Sequence, residues 1–335
     1  MTIQLQLHHS IRAHQDKLWS LSVHKTQPLL ATASSDKTCK IFNLSTKQEI
    51  TSLDDTHKRS IRTVAWKPIV GDDDDEVEPS LACGSFDSTI SVWGQDQTEW
   101  SLFAVIEGHE NEVKCVAWNN SGELLASCSR DKTIWIWEAD RDNEEFECIS
   151  VLQDHTQDVK CVTWHDSLDL LASGSYDDSV RLWREEDDDE DWGCFAELKG
   201  HKGTVWGVGF EKGEERLRVV SCSDDHTVKV WKCVDDADEE DVWIEQSTLP
   251  SAHQRAVYSV CWSGVSGRIA SVGSDGRLVV YEEDEEAGSG KWNIVAVKEL
   301  AHGVYEVNSV KWFSLQGKEY LITGGDDGVV NIWSI

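Results

Sequence analysis

The chain has 335 residues, and its 62 Asp and Glu outnumber its 31 Lys and Arg, which gives a formal net charge of −31. This charge argues against sequence-independent binding of nucleic acids and of anionic membranes, because both are polyanions. Hydrophobic residues make up 39% of the chain, enough for a sizeable core. No apolar stretch approaches the roughly 18–20 residues of a membrane span, and the first residues lack signal-peptide features. We therefore expect neither a nucleic acid nor a membrane as a direct partner.

Along the chain, one turn pattern recurs seven times. Each copy has Ser or Gly two residues before an Asp and an aromatic residue six positions after it, as in residues 129–137. The seven turn residues, spaced by 44–52 positions, are Asp36, Asp87, Asp131, Asp177, Asp225, Asp275 and Asp327. Self-similarity at such a period is typical of repeat architectures.

A histidine precedes each turn and marks one unit. The seven marks are His14, His57, His109, His155, His201, His253 and His302. Within a unit, apolar and polar residues alternate, as in residues 113–118, which is the period of a β-strand. Each unit therefore predicts four short antiparallel strands, named a to d in chain order. One such sheet cannot bury both of its faces alone, so we expect an all-β, seven-bladed β-propeller that covers residues 1–335 as a single domain.

The two ends of the chain are expected to meet in the seventh blade. The chain stops two residues after the strand-c aromatic Trp333, so this blade lacks a fourth strand of its own. The alternating residues 3–7 precede the first unit. We predict that this N-terminal segment supplies the missing strand and closes the ring, which also removes an exposed sheet edge.

Each unit also combines a His, a Ser or Thr, the turn Asp and the aromatic residue. In the third unit the set is His109, Ser127, Asp131 and Trp137; in the fourth it is His155, Ser173, Asp177 and Trp183. Ser, His and Asp are the residues of a hydrolase triad, which makes His109, Ser127 and Asp131 a possible active site. Their recurrence around the ring instead favours structural tetrads that are buried hydrogen-bond networks, and we expect no catalytic residue. Cys83 replaces the hydroxyl in the second unit, so that network is predicted to be incomplete.

Basic and aromatic residues recur on the face where the b–c turns and the d–a loops emerge, here called the top face. The candidates for partner binding are Trp19, Arg62, Lys114, Lys160, Trp206 and Tyr258 near the start of strand a, and Arg130 and Tyr176 in the b–c turns. Exposed Trp, Tyr and Arg are enriched at protein-binding hot spots. The alternative is that several of them pack against neighbouring loops.

The excess of acidic residues is confined to six segments. They are residues 71–78, 94–99, 138–147, 185–191, 235–241 and 282–286. Five of them join strand c to strand d and one joins a to b, so all are expected on the opposite, bottom face. We interpret them as solvated hairpin tips, and a basic partner there stays open. The ten cysteines are scattered and never form C-x-x-C, so we predict no metal site, cluster site or other cofactor.

The period, the His mark and the terminal Trp resemble WD40 repeats, although no Trp-Asp dipeptide follows strand c. Several stretches resemble one family more closely, the WD40 protein of the cytosolic iron–sulfur cluster assembly (CIA) targeting complex. They are residues 57–68, 107–114, 127–138, 155–160, 301–307 and 324–328. The resemblance extends over the whole chain.

The resemblance implies a scaffold that is not an enzyme. Such a protein would hold a DUF59-type partner and a HEAT-repeat partner, meet an iron-only-hydrogenase-like cluster carrier, and recruit apo-clients for [4Fe–4S] insertion in the cytoplasm and nucleus. It would be monomeric on its own. Arg130 matches a blade-three turn arginine that matters for function in this family.

A different class of function stays open, namely a WD40 substrate receptor of a ubiquitin ligase or a chromatin-associated adaptor. Such receptors often carry a helical adaptor-binding domain or a Trp-Asp-x-Arg turn after strand c. Neither is present here, since Arg184 follows Trp183 directly.

Overall fold

The computed structural model describes residues 3–69, 78–186, 191–213, 216–234, 242–284 and 288–335. They form 28 strands in seven four-stranded antiparallel sheets. The predicted all-β, seven-bladed propeller is therefore confirmed. The described residues contain no helix long and apolar enough to span a bilayer.

The four strands of a blade follow one another from the centre of the ring to its rim. Strand a of the successive blades is β2 (Leu18–Val23), β6 (Ile61–Trp66), β10 (Val113–Trp118), β14 (Val159–Trp164), β18 (Val205–Phe210), β22 (Val257–Trp262) and β26 (Val307–Leu315). Strand b is β3 (Leu29–Ser34), β7 (Ser80–Ser85), β11 (Leu124–Ser129), β15 (Leu171–Ser175), β19 (Arg218–Ser223), β23 (Ile269–Gly273) and β27 (Lys318–Gly325).

Strand c is β4 (Cys39–Asn43), β8 (Thr89–Asp96), β12 (Ile134–Ala139), β16 (Ser179–Glu185), β20 (Val228–Val234), β24 (Leu278–Glu283) and β28 (Val329–Ser334). Strand d is β5 (Gln48–Leu53), β9 (Glu99–Glu107), β13 (Phe146–Leu152), β17 (Trp192–Lys199), β21 (Val242–Thr248), β25 (Trp292–Lys298) and, for the seventh blade, β1 (Gln6–Arg12).

The hydrophobic core lies between adjacent blades. Neighbouring a strands contact each other around the whole ring, including β26 with β2. Between the first two blades, Leu29 and Ile41 pack against Ile61 and Leu81. Each sheet thus buries its faces against its neighbours, and removal of this apolar surface from water stabilises the ring by about 25 cal/mol per Å².

The N-terminal strand closes the ring as predicted, but it lies further along the chain than the sequence indicated. Strand β1 starts at Gln6 and pairs antiparallel with β28, from Gln6 opposite Ser334 to Arg12 opposite Val329. The alternation in residues 3–7 has another origin. The amide of Ile3 donates to the carbonyl of Val295 in blade six at 2.8 Å, and Leu5 is buried in the same apolar cluster.

Many of the tryptophans pack in pairs within one blade. The last residue of strand a meets the first aromatic residue of strand d: the ring centroids of Trp66 and Trp100 are 5.8 Å apart, and those of Trp164 and Trp192 are 5.2 Å apart. The strand-c tryptophans belong to the core, with Trp183 at 0% exposure. Trp93 is an exception among them because it is only half-buried.

Two of the six acidic segments can be placed directly. Residues 94–99 and 138–147 include the turns between β8 and β9 and between β12 and β13, which are c–d connections. The other four segments, 71–78, 185–191, 235–241 and 282–286, lie wholly or partly outside the described residues.

Candidate protein-binding site

Behind the top face, each blade carries a hydrogen-bond network centred on its histidine. In blade three, Nδ1 of His109 lies 2.8 Å from Oδ2 of Asp131, and Nε2 lies 2.8 Å from Oγ of Ser127. The indole nitrogen of Trp137 donates to the same Oγ at 2.9 Å. Because the carboxylate can only accept, Nδ1 carries the proton, and the Ser127 hydroxyl donates to Nε2.

Blade four repeats this geometry. The two ring nitrogens of His155 lie 2.8 Å from Asp177 and 2.8 Å from Ser173, and Trp183 donates to Ser173 at 2.8 Å. The structure therefore brings together the eight residues named for these two blades, in the order expected of a structural tetrad.

Each network joins a d–a loop to a b–c turn. The Asp131 carboxylate also accepts the backbone amides of Glu110 and Thr133, both at 3.0 Å. Burial alone would raise the pKa of Asp131, but hydrogen bonds from His109 and Thr133 lower it to about 2. The hydroxyl oxygen of Ser127 accepts the Trp137 N–H, and Ser127 is at 0% exposure. This environment suits a structural link and not a nucleophile facing solvent.

The network of blade two is complete, contrary to the prediction from Cys83. Nε2 of His57 lies 2.8 Å from Oγ of Ser91, and Trp93 donates to the same oxygen at 2.9 Å. Cys83 and Ser91 are directly opposite in the pairing of β7 with β8. The hydroxyl has therefore moved from strand b to the facing position on strand c.

The top-face residues of strand a share a backbone irregularity. In every blade, the pairing of strands a and b skips one residue immediately after the first buried residue of strand a. The skipped residues are Trp19, Arg62, Lys114, Lys160, Trp206, Tyr258 and Asn308. A β-bulge leaves its extra residue outside the ladder and re-aims its side chain.

Six of the candidate side chains form two groups of rings and cations, one in blades one and two and the other in blades four to six. The guanidinium of Arg62 lies 4.9 Å from the ring centroid of Trp19. The Lys160 ammonium lies 5.3 Å from the Tyr176 ring and 5.2 Å from the Trp206 ring. Trp206 in turn meets Tyr258 edge to face at 5.5 Å. The two groups together contain six of the eight residues predicted to bind partners.

The other two, Lys114 and Arg130, meet at a carboxylate that the sequence reasoning missed. Glu112 lies 2.7 Å from Nζ of Lys114, 3.1 Å from Arg59 and 3.7 Å from Arg130. Lys114 also lies 4.3 Å from the ring of Phe86, which connects it to the blade-two turn. The sequence could have predicted this pair, because Glu112 stands two residues before Lys114 and alternate residues of an extended strand share one side.

Comparisons with known proteins show which family this chain belongs to. The WD domain, G-beta repeat matches residues 5–43, 100–138, 146–184, 192–232, 244–282 and 295–334, which is more than half of the chain. A protein of Scheffersomyces stipitis named probable cytosolic iron-sulfur protein assembly protein 1 is 52% identical, with 97% of this chain and 98% of that protein covered. Proteins of the same name from Kluyveromyces lactis (98% of each chain covered) and Candida albicans (99% of this chain, 100% of that protein) are 53% and 49% identical. The chain belongs to this WD40 family.

The second blade is also exceptional in the comparison with the WD40 family. Each matched segment begins in or before strand d of one blade and ends at strand c of the next, and the longest unmatched stretch, residues 44–99, contains strand d of blade one and strands a to c of blade two. This is the blade with Cys83 in the hydroxyl position. Its repeat departs from the family pattern at the same place where the network is rebuilt with Ser91.

The described residues of this WD40 protein hold no group of three or more His, Cys, Asp or Glu arranged for a metal ion. The ten cysteines are spread over six blades, and burial raises the pKa of Cys128 and Cys222 well above the ordinary value. Such thiols stay protonated near neutral pH and behave as small apolar residues.

Proposed function

We propose that this chain is a non-catalytic scaffold of cytosolic iron–sulfur protein assembly, with residues 1–335 acting as one propeller domain. The names of its relatives support a role in that machinery. The observation that carries the scaffold role is the concentration of aromatic and basic side chains on the top face, which has the composition of a protein-binding hot spot.

The partners we propose are those of the CIA targeting complex: a DUF59-type protein, a HEAT-repeat protein, an iron-only-hydrogenase-like cluster carrier and apo-clients that receive [4Fe–4S] clusters. The chain would be a monomer when isolated and would work in the cytoplasm and nucleus. Its contacts would be made by Trp19, Arg62, Lys114, Arg130, Lys160, Tyr176, Trp206 and Tyr258.

The absence of catalysis is also part of the proposal. Ser127 of the triad-like set is buried and bonded to Trp137, and the same constellation recurs in other blades with Thr32, Ser173 or Ser221. A set that is repeated around a ring in structural positions is better suited to pinning loops than to turnover.

Affinity purification of the tagged chain, followed by mass spectrometry, tests the proposal. We expect a DUF59-type and a HEAT-repeat protein to be recovered, and to be lost when Arg130 and Tyr176 are both changed to Glu. Lys318→Glu, an exposed change in the β26–β27 hairpin at the bottom face, is the matched control and should retain both. Recovery of cullin adaptors or chromatin proteins without a DUF59-type protein would reject the proposal in favour of the receptor class.

A further inference from the structure

Five basic side chains gather where blades two, three and four meet at the top face. They are Arg59, Arg62, Lys114, Arg130 and Lys160, here called the cationic cluster. Among the described residues, their ion pairs involve only two carboxylates: Glu112 is shared by Arg59, Lys114 and Arg130, and Asp158 lies 3.1 Å from Lys160. The cluster therefore has a surplus of positive charge within a protein of net charge −31.

Arg62 is the least compensated member. Its described contacts are the face of the Trp19 ring and a weak 3.5 Å hydrogen bond to the Trp19 carbonyl, and no carboxylate of the described chain lies within ion-pair distance. Burial lowers the pKa of Lys114 and the hydrogen bond to Glu112 raises it, while repulsion by the charges of Lys160 and Arg62 lowers it. Such repulsion is relieved by a bound anion.

We propose that the cationic cluster receives a short acidic segment of a partner protein, whose Asp or Glu carboxylates meet Arg62, Lys114 and Arg130. This inference rests on the proposed function of the top face as a partner-binding surface and adds the chemistry of the partner. Carboxylates bonded to charged nitrogens make stronger hydrogen bonds than neutral pairs, and they fix the register of a docked segment.

The shape of the cluster favours an acidic peptide over a nucleic acid. The side chains of Lys114 and Lys160 are only 14% and 11% exposed. They are recessed between the rings of Phe86, Tyr176 and Trp206. A flexible carboxylate side chain reaches such a recess, and the apolar parts of a peptide can pack on the surrounding rings. The net charge of the whole protein repels a polyanion at longer range.

A fluorescence-polarisation titration with the full-length chain tests this directly. The probe is a fluorescein-labelled peptide of five Glu-Gly repeats with an amidated C-terminus, and the control probe has Gln in place of Glu. We expect the Glu peptide to bind and the Gln peptide not to bind, with affinity falling as salt is raised from 50 to 300 mM. Lys114→Gln and Arg130→Gln should each weaken binding about tenfold. Lys318→Gln at the bottom face should leave it unchanged.

Arg130 is exposed, so its variant tests the proposal even if a change at Lys114 disturbs folding, which thermal unfolding reports. Equal binding of the Gln peptide, or an unchanged dissociation constant in Arg130→Gln and Lys114→Gln, would overturn the proposal. Displacement by 5 mM inorganic phosphate would reassign the cluster to small anions. Self-association in sedimentation that disappears in Lys114→Gln would reassign it to the acidic residues of a second copy.

This assay uses no CIA component, so its result is separable from the proposed function. If the peptide fails to bind while the DUF59-type protein is still recovered, the scaffold role stands and the acidic partner chemistry is wrong. If the peptide binds and no CIA component is recovered, the acidic partner chemistry stands and the scaffold role in CIA is wrong.

Discussion

Nε2 of His57 lies 2.8 Å from Oγ of Ser91, although in blades three and four the hydroxyl that meets the histidine comes from strand b. Ser91 is on strand c, directly opposite Cys83. Two cross-strand neighbours have therefore exchanged roles, and the link between loop and turn is kept. A buried polar group that loses its partner costs about 1–3 kcal/mol, so retaining the hydroxyl stabilises the blade.

Ser91→Ala should therefore lower the free energy of unfolding by about 1–3 kcal/mol, because His57 and Trp93 both lose their partner at that oxygen. Adding Cys83→Ser to this variant should recover part of the loss by placing a hydroxyl where the other blades have one. Urea unfolding of the three chains measures both effects. Equal stability of the single and double variants would contradict this account of the exchange.

Closure of the ring by β1 leads to a second prediction. Deletion of residues 1–9 removes the pairs that Gln6, Leu7 and His9 make with β28 and the contact of Ile3 with Val295. We expect faster hydrogen exchange of the β28 amides and a lower melting temperature, because strand c of blade seven becomes an edge.

Two point variants separate pairing from side-chain packing in the same strand. Ile11 of β1 is buried, whereas Leu7 is 53% exposed. Ile11→Asn should destabilise the protein by about 2–4 kcal/mol, as expected when a buried apolar side chain is replaced by a polar one. Leu7→Asn should change stability by less than about 0.5 kcal/mol. Similar effects of the two variants would show that β1 does not pack as described.

The repeat signals in the sequence were sufficient for the number of blades and for six of the seven His networks, because the turn Asp and the His occur at a regular spacing. Features that depend on strand register could not be predicted from the sequence. To predict that Ser91 supplies the hydroxyl that Cys83 lacks, one must know which residues face each other across the strands. The bulge at Lys114 shifts the alternation of buried residues from Val113 to Val116, but the apolar Cys115 and Ala117 in the same strand conceal this shift in the sequence.

The ion pairs of Arg218 also could not be predicted from the sequence, because one of its partners lies in the next blade and is distant in sequence. Its guanidinium is 4% exposed, lies 2.7 Å from Glu211 and 3.0 Å from Glu283 of the next blade, and covers the ring of Trp262 at 4.8 Å. Arg218→Ala should cost about 3–5 kcal/mol, because it removes the main cationic partner of two largely buried carboxylates.

The matched control for this buried ion pair is Arg268→Ala. Arg268 pairs with Glu282 at 2.7 Å, but both side chains are more exposed, at 24% and 40%. An exposed pair contributes about 0–1 kcal/mol. Chemical denaturation of both variants decides the point, and equal losses would show that burial of Arg218 does not control its contribution.

Arg130 should matter for binding and not for stability. Its side chain is 55% exposed, and its one ion pair among the described residues is the 3.7 Å contact with Glu112. Arg130→Glu should change the free energy of unfolding by less than about 0.5 kcal/mol and weaken capture of partners. Thermal unfolding and gel filtration with the recovered partners measure the two effects. An unchanged complex would show that Arg130 does not contribute to partner binding. A large loss of stability would show that it has a structural role.

The aspartates of the His networks should make stability depend on pH in the acidic range. The pKa of Asp131 is about 2, below its ordinary value of 3.8, and those of Asp36, Asp177 and Asp225 are lowered as well; in all four, burial opposes the hydrogen bonds from the histidine. A group whose pKa is depressed by folding stabilises the protein above its unfolded pKa, and this contribution is lost as pH falls towards the folded pKa. For Asp131 the loss between pH 5 and pH 3 is about 1 kcal/mol.

Acidification also relieves the repulsion among the acidic residues of a chain of net charge −31. The effect of Asp131 is therefore isolated by comparing how much the free energy of unfolding changes with pH in two chains. The free energy of unfolding of the unaltered chain should fall by about 1 kcal/mol more between pH 5 and pH 3 than that of Asp131→Asn, since the amide cannot titrate. Urea denaturation at the two pH values gives both differences. If the two chains lose the same stability, the Asp131 carboxylate is not held in its ionised form by His109, and the blade-three network does not have the proton arrangement assigned to it.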